Sequence, residues 1–277
     1  MITVRHSKPV YDPVARFYDL DHEGFDDDLA LYRDFARTVS GPILDVGVGT
    51  GRVALALASE GATVTGIDVS PAMLALAATR VRLHRLENRV TLVLTDVRTL
   101  DMANRFGLSY FALNTFAHLL APSDQLAALR AVRRHLLPGG RLLVDQWNPL
   151  NSSAPDSSGQ WVLGYRRQGR SGSWVTQSVA TVADPAEQLL STTIVYDEEV
   201  LRSRPTPHRR ATSGTELPVR LARTAVSFKL RYHYRFEVEW LLLSAGFEVE
   251  ATFGDYDLSQ YSGISPRLIS LARRVDP

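Results

Sequence analysis

Residues 43–52, ILDVGVGTGR, decide how this chain folds. The apolar start of this stretch predicts a buried strand, and its last residue opens a predicted helix. Between the two elements lie Gly47, Gly49 and Gly51, which allow a tight turn with positive φ and let a ligand approach the backbone. The free N–H groups of the following helix can bind an anionic group such as a carboxylate. The stretch therefore predicts a ligand site at the carboxyl end of the first strand of an open α/β sheet.

Strand and helix patterns alternate on both sides of this turn. Strands are predicted at residues 42–48, 63–68, 90–96, 106–114 and 141–147. Helices are predicted at residues 14–20, 26–38, 52–60, 71–83 and 123–137. Asp12 and Pro13 are expected to begin the first helix, and Ser70 and Pro71 the fourth. Strands that are apolar on both faces and separated by helices indicate a parallel sheet that is covered on both sides.

The alternation stops after residue 151. We predict β-strands at residues 160–167, 173–182, 189–198 and 223–234, separated by turns rich in Gly, Ser and Pro. A helix at residues 236–245 and two strands, at 247–256 and 268–274, close the chain. We therefore divide the chain into a main domain, formed by residues 1–151 and 236–277, and an antiparallel β insert, formed by residues 152–235.

The composition excludes several classes of protein. The chain has 277 residues and no cysteine, which excludes disulfides, iron–sulfur clusters, thiolate zinc sites and cysteine nucleophiles. Its 31 basic and 30 acidic residues give a net charge of +1, which favours neither a nucleic-acid partner nor a membrane surface. The N-terminus lacks the apolar core of a signal peptide, and no run of about 18 apolar residues is present. We therefore expect a soluble cytoplasmic protein, whose oligomeric state is left open.

Two acidic residues at the ends of the next strands narrow the class of ligand. Asp68 ends the second predicted strand, where its carboxylate can accept hydrogen bonds from both ribose hydroxyls of a nucleoside. Asp96 ends the third, where it can accept a hydrogen bond from an adenine amino group. Met73, five residues after Asp68, is placed to pack on a face of the adenine. Three successive strand ends thus supply glycines, an acid for the ribose and an acid for the base.

With these features the chain resembles the class I methyltransferases that depend on S-adenosylmethionine (SAM). The resemblance covers roughly residues 11–148 and returns over residues 236–274. Residues 136–146, LLPGGRLLVDQ, are similar to the family's turn before its fifth strand, and the last two strands resemble its terminal antiparallel hairpin. The implied fold is an α/β, Rossmann-like, doubly wound sheet of seven strands with an antiparallel last strand. The β insert is expected to form a lid over the carboxyl ends of the strands.

The resemblance also assigns residues to the cofactor. It implies that the glycine loop holds the methionine part of SAM and that Asp68 takes the ribose. Val69, which follows Asp68, is also assigned to the cofactor. Asp96 and Val97 are implied to border the adenine. Asn114, at the end of the fourth strand, is implied to lie beside the methionine part and the methyl acceptor.

The segment at residues 11–19, YDPVARFYD, resembles the N-terminal helix of small-molecule enzymes that include sugar and glycine N-methyltransferases. In those enzymes tyrosines of this segment close over SAM. The resemblance assigns Tyr18 to the cofactor site, with simple packing of the first helix as the alternative. We place Tyr11 at the substrate site, with SAM binding or simple packing of the first helix as the alternatives.

Four further residues have two interpretations each. Asp45, within the first strand, is either a functional acid of the cofactor site or a support for the glycine loop through hydrogen bonds to backbone N–H groups. His118 follows Asn114 by four residues and is either a catalytic general base or a buried histidine bonded to a carbonyl. Asp255 and Tyr256 follow the sixth strand of the main sheet. They either face the methyl acceptor or only terminate the strand.

A nicotinamide dehydrogenase is the competing interpretation of the glycine turn. Its fingerprint is G-x-G-x-x-G, and the third glycine of that pattern would be Arg52 here. The third glycine comes one residue early, at Gly51, which fits SAM enzymes better.

The predicted function is therefore transfer of a methyl group from SAM to a nitrogen or oxygen atom of a small-molecule acceptor, with S-adenosylhomocysteine as the product. The fourth strand ends in ALNTF, residues 112–116, and lacks the N/D-P-P-Y/F cluster used to methylate amino groups of nucleic-acid bases. No metal site is predicted. The principal alternative is a non-catalytic SAM-binding module whose insert serves a protein partner, and a less favoured one is an NAD(P)-dependent oxidoreductase.

Overall fold

The structure is a computed structural model that describes residues 9–151, 158–169, 172–201 and 219–276. Its α-helices are α1 (Ala15–Asp21), α2 (Leu29–Arg37), α3 (Arg52–Ser59), α4 (Pro71–Leu83), α5 (Pro122–His135) and α6 (Arg235–Ser244). Its strands are β1 (Ile43–Val46), β2 (Val64–Asp68), β3 (Val90–Leu94), β4 (Phe106–Phe111), β5 (Leu136–Trp147), β6 (Val162–Gln168), β7 (Trp174–Asp184), β8 (Leu189–Leu201), β9 (Val219–Arg231), β10 (Phe247–Phe253) and β11 (Arg267–Arg274). Two 3-10 helices follow β3 and β4, at Val97–Thr99 and Thr115–His118.

The main sheet has seven strands in the order β3-β2-β1-β4-β5-β11-β10. The pairs from β3 to β5 are all parallel, whereas β11 runs antiparallel to both β5 and β10. Val46 at the end of β1 pairs with Ile67 of β2 and Phe111 of β4, so the carboxyl ends of these strands meet at one edge. The predicted fold class, a seven-stranded doubly wound sheet with an antiparallel hairpin at its end, is confirmed.

Both faces of this sheet are buried because successive side chains of each strand point to opposite sides. Leu44 and Val46 of β1 pack with α5 and α6 on one face, whereas Ile43 packs with α2 and α3 on the other. Their side chains are at most 2% exposed. Burial on both faces explains why the strands of the sequence are continuously apolar rather than alternating.

The insert forms a second sheet, four antiparallel strands in the order β6-β7-β8-β9. One face of this sheet packs on α1. The contact is apolar, and its buried members are Val14, Phe17, Val175, Tyr196 and Val226. The rings of Phe17 and Tyr196 stack with their centroids 4.3 Å apart. The insert and the N-terminal helix therefore form a small hydrophobic core together, apart from that of the main sheet.

Two predicted details of the elements are wrong. Helix α5 ends at His135, not at residue 137, because β5 already begins at Leu136, which is extended (φ −80°, ψ 148°) and pairs with Phe106 of β4. Asp12 does not cap α1, which begins at Ala15 without a side-chain cap. Its carboxylate instead accepts hydrogen bonds from the Ser70 hydroxyl and the Ala72 N–H at the start of α4. Among the helices of the described residues, none is long and apolar enough to cross a membrane.

Candidate active site

The glycine loop between β1 and α3 has left-handed backbone geometry at three positions. The φ angles are +74° at Gly47, +55° at Gly49 and +84° at Gly51, values that side chains with a Cβ rarely adopt. A Cβ on residue 47 would lie only 2.4 Å from Cγ2 of Thr115. A Cβ on residue 49 would lie 3.8 Å from the ring of Tyr18. The loop is thus packed between the segment after β4 and helix α1.

Asp68 lies at the end of β2 and joins the glycine loop to α4. Its Oδ2 accepts a hydrogen bond from the Gly49 N–H at 2.9 Å, and its Oδ1 accepts one from the Ser70 N–H at 2.8 Å. Burial raises the pKa of this carboxyl group, and the two N–H groups oppose that rise. Each carboxylate oxygen can accept a further hydrogen bond. The side chain can therefore bind ribose hydroxyls while it keeps the loop in place.

Asp96 lies at the end of β3, as expected, but a neighbouring cation already contacts both of its oxygens. The Arg98 guanidinium lies 2.5 Å from Oδ2 of Asp96, and the Arg98 N–H donates to Oδ1 at 2.9 Å. The same guanidinium also contacts Asp124 at 2.7 Å. These bonds occupy part of the accepting capacity of Asp96, so its role toward adenine stays a prediction.

The apolar residues assigned to SAM differ widely in exposure. Val69 is 51% exposed at the end of β2, whereas Val97 is 8% and Met73 2% exposed. Val69 therefore presents its side chain at the surface of the site. Met73 and Val97 pack mainly in the core and can offer a ligand only a small part of their surface.

Asp45 lies under the glycine loop and is 2% exposed. Burial raises its pKa to about 7, and the negative charge of Asp68 contributes to the rise. The positive charge of Arg52 and the backbone N–H of Ala54 oppose it. Asp45 is therefore part of the floor of the site, where its protonation responds to pH near neutrality.

The N-terminal segment, residues 11–22, packs beside the glycine loop and is hydrogen-bonded to the main domain through Asp19. Thr50 donates to Oδ1 of Asp19 at 2.7 Å, and Arg80 donates to the same oxygen at 3.0 Å. Tyr18 lies in the sequence between Asp12 and Asp19. Its ring is next to Gly49 and stacks on His22 with centroids 4.3 Å apart. Burial raises the pKa of Tyr18 to about 12, so it remains a neutral phenol.

Tyr11, His118 and Phe228 form a cluster of three rings beside this segment. The Tyr11 hydroxyl lies 3.1 Å from Nε2 of His118, within hydrogen-bonding distance. The ring centroids of the three residues are 5.4–5.6 Å apart. Burial lowers the pKa of His118 to about 4 and raises that of Tyr11, so both groups are uncharged at neutral pH. Phe228 belongs to β9 of the insert, a contribution that the sequence analysis missed.

Asn114 lies in a turn after β4 and is hydrogen-bonded to residues of β5. Its N–H donates to the Asp145 carbonyl at 3.0 Å, and its Oδ1 accepts from the Trp147 N–H at 2.7 Å. Both Asn114 and the preceding Leu113 have positive φ, +66° and +44°. The Oδ1 atom of Asn114 is thus bound to β5, and a contact of this residue with SAM or acceptor stays a prediction.

The sequence analysis did not identify Asp145 or Arg267 as site residues. An acidic residue within the apolar strand β5 could have drawn attention to Asp145. Arg267 donates to Oδ1 of Asp145 through Nε at 2.9 Å and also through its terminal nitrogen. Oδ2 accepts from the hydroxyls of Tyr32 at 3.1 Å and Tyr256 at 3.3 Å. The structure therefore places Tyr256 on this buried carboxylate, and the Asp255 carboxylate accepts the Tyr256 N–H at 2.8 Å.

The site residues consequently fall into several groups: Asn114 and Tyr256 both bind Asp145, whereas Asp96 is bound by Arg98. The glycine loop, Asp45, Asp68 and Tyr18 lie together at the ends of β1 and β2. Tyr11 and His118 lie together under the insert.

Comparison with known proteins finds methyltransferases similar to this chain in sequence and in fold. Residues 43–140 match the methyltransferase domain family. The chain is 28% identical over 236 residues to a cypemycin N-terminal methyltransferase of Streptomyces sp, which covers 84% of this chain and 82% of that protein. The CcbJ methyltransferase of Streptomyces caelestis superposes with a TM-score of 0.77 at 24% identity, over 98% of this chain and 100% of that chain. An amino pentose methyltransferase of Micromonospora echinaspora, solved with SAM bound, gives 0.67 at 21% identity, over 98% and 100%.

Residues 43–140 thus match a methyltransferase domain, and the chain as a whole has the fold of these methyltransferases. Two of the structures with this fold were solved with SAM bound, and the residues present in this chain fit that molecule. Asp68 has free acceptor positions for ribose hydroxyls, and it lies beside the glycine loop that it holds through the Gly49 N–H.

Proposed function

We propose that this chain methylates an amino nitrogen of a small molecule held between the segment after β4 and the β insert. The observation that carries the proposal is the cluster of Tyr11, His118 and Phe228, which continues through Tyr18 to the glycine loop. SAM, when bound, supplies a methyl group on a positively charged sulfur. The residues of the chain have to align the acceptor with that group and exclude water.

An amine fits this cluster better than a hydroxyl. A hydroxyl acceptor needs a base that removes its proton, and a histidine whose pKa is lowered to about 4 is a weak base. A neutral amine already carries a free lone pair, and burial among rings disfavours its charged ammonium form. The Tyr11–His118 pair can then orient the amine through a hydrogen bond. Relatives that act on an N-terminus and on an amino pentose support the same acceptor class.

The insert, residues 152–235, is proposed to be the lid that selects the acceptor, whereas residues 1–151 and 236–277 bind SAM. Support comes from the joint between α1 and the insert. The Asp21 carboxylate accepts hydrogen bonds from the Tyr165 hydroxyl at 2.5 Å, Gln177 at 2.8 Å and the Tyr196 hydroxyl at 2.5 Å. These donors come from three strands of the insert, so Asp21 fixes the insert on α1. The lid thereby holds Phe228 beside Tyr11 and His118.

The test is methyl transfer from SAM labelled with tritium in the methyl group. The acceptors are a panel of amino sugars and short peptides with a free amino terminus, each paired with its N-acetylated counterpart. Transfer to an amine and not to its N-acetylated partner is expected, with a lower rate for the Tyr11→Phe variant. Transfer to hydroxyl groups alone would overturn the amine assignment. SAM binding without transfer to any acceptor would favour a non-catalytic SAM-binding module.

A further inference from the structure

The turn that follows β4 has an unfavourable backbone. Leu113 (φ +44°) and Asn114 (φ +66°) are consecutive residues in the left-handed region, and both carry a Cβ. Such residues are strained, and they persist only where the surrounding structure holds them. Leucine is the less favourable of the two, since asparagine tolerates this conformation better.

The group that holds this turn is Asp145. Its Oδ2 accepts the Leu113 N–H at 3.1 Å, and its main-chain carbonyl accepts the Asn114 N–H at 3.0 Å. The carboxylate is fully buried and is itself fixed by Arg267, Tyr32 and Tyr256. One residue therefore binds the amide groups of both strained positions, and the cation of Arg267 compensates its buried charge.

The 3-10 helix Thr115–His118 directly follows the strained turn, so the position of the turn determines that of the helix. The methyl group of Thr115 packs on Gly47 so tightly that a Cβ there would lie 2.4 Å away. Three residues later, His118 contacts Tyr11. A movement of the turn would therefore disturb the glycine loop on one side and the ring cluster on the other.

We propose that Asp145 is a positioning residue, which holds the strained turn at Leu113 and Asn114 and thereby fixes the segment between SAM and the acceptor. It acts through the backbone and touches neither ligand. The inference rests on the proposed function for the acceptor side only. Calorimetry with SAM alone tests it, so it can fail separately from the amine assignment.

The central variant is Asp145→Asn. Arg267 is buried and needs an acceptor, so we expect the side-chain oxygen of the asparagine to face Arg267. The NH2 group of the asparagine then faces the Leu113 N–H. Because an NH2 group is a donor, it cannot accept a hydrogen bond from that N–H. We expect SAM to bind at least tenfold more weakly to this variant, in calorimetry on protein shown to be folded by circular dichroism. Asp197→Asn is the matched control, because it makes the same change in a carboxylate that binds an arginine, Arg223, in the insert, and SAM affinity should stay within about twofold.

A second substitution separates positioning from a general structural role. Leu113→Gly in the Asp145→Asn background removes the strain, because glycine adopts positive φ freely, and SAM affinity should return to within about threefold of the original chain. Leu113→Ala removes nearly the same side chain but keeps the Cβ, and it should not restore binding. Equal affinities of the glycine and alanine double variants would overturn the proposal. If Asp145→Asn does not fold, the glycine double variant should fold and the alanine one should not, and failure of both would overturn the proposal.

Discussion

The Asp45→Asn substitution tests whether the carboxyl group under the glycine loop is protonated in the folded chain. Burial, reinforced by the charge of Asp68, raises the pKa of Asp45 from 3.8 to about 7. A raised pKa means that the folded state prefers the protonated acid. Its contribution to stability is therefore complete below pH 3.8 and is lost as the pH rises to about 7.

The size of this effect follows from the pKa shift. A rise from 3.8 to about 7 corresponds to about 4 kcal/mol of stability lost between acid and mildly alkaline pH. Asparagine imitates the protonated acid and cannot ionise. We expect the free energy of unfolding of Asp45→Asn to exceed that of the original chain by less than about 1 kcal/mol at pH 4 and by about 4 kcal/mol at pH 8.

Urea unfolding followed by circular dichroism at several pH values measures this difference. The exposed Asp27→Asn substitution is the control for removing one carboxylate from the chain. A difference between Asp45→Asn and the original chain that stays constant or shrinks as the pH rises would refute the raised pKa.

Three further substitutions test other parts of the site. Asp68→Ala should weaken SAM binding in calorimetry by about 1.5–3 kcal/mol for each ribose hydrogen bond lost to the charged group, and by more than Asp45→Asn does. Unchanged affinity would show that the ribose lies elsewhere. Gly47→Ala should lower the melting temperature, because its Cβ would meet Thr115 Cγ2 at 2.4 Å, and Thr115→Ser should recover part of the loss. Asp21→Ala should speed amide hydrogen exchange in α1 and the insert but not in the main sheet, and uniform exchange would contradict a joint lid.

Much of the fold could be predicted because its signals are local. The glycines at positions 47, 49 and 51 permit the positive φ angles that the turn adopts, and continuous apolar runs are typical of strands buried on both faces. The start of β5 was placed five residues late because Pro138 and two glycines suggested a turn, whereas Leu136 already pairs with Phe106 of β4, ahead of an irregularity before Arg141. Here a contact between distant residues overrides the local preference.

The site could be predicted only where one strand end carries it. Asp68 was found because it directly follows an apolar strand. The environment of Asp145 depends on residues more than 100 positions away, among them Tyr32 and Arg267, which no local pattern joins to it. The same holds for Phe228, which reaches His118 only because the insert folds back on α1. Long-range partners of this kind decide which side chains face a ligand, and a single sequence does not reveal them.

The central claim is that the glycine loop and Asp68 bind SAM rather than a nicotinamide dinucleotide. Isothermal titration calorimetry of the full chain with SAM, S-adenosylhomocysteine and NAD tests it most directly. We predict that SAM and S-adenosylhomocysteine bind to one site per chain and compete with each other, and that NAD gives no heat of binding. Saturable binding of NAD without any binding of SAM would contradict the account.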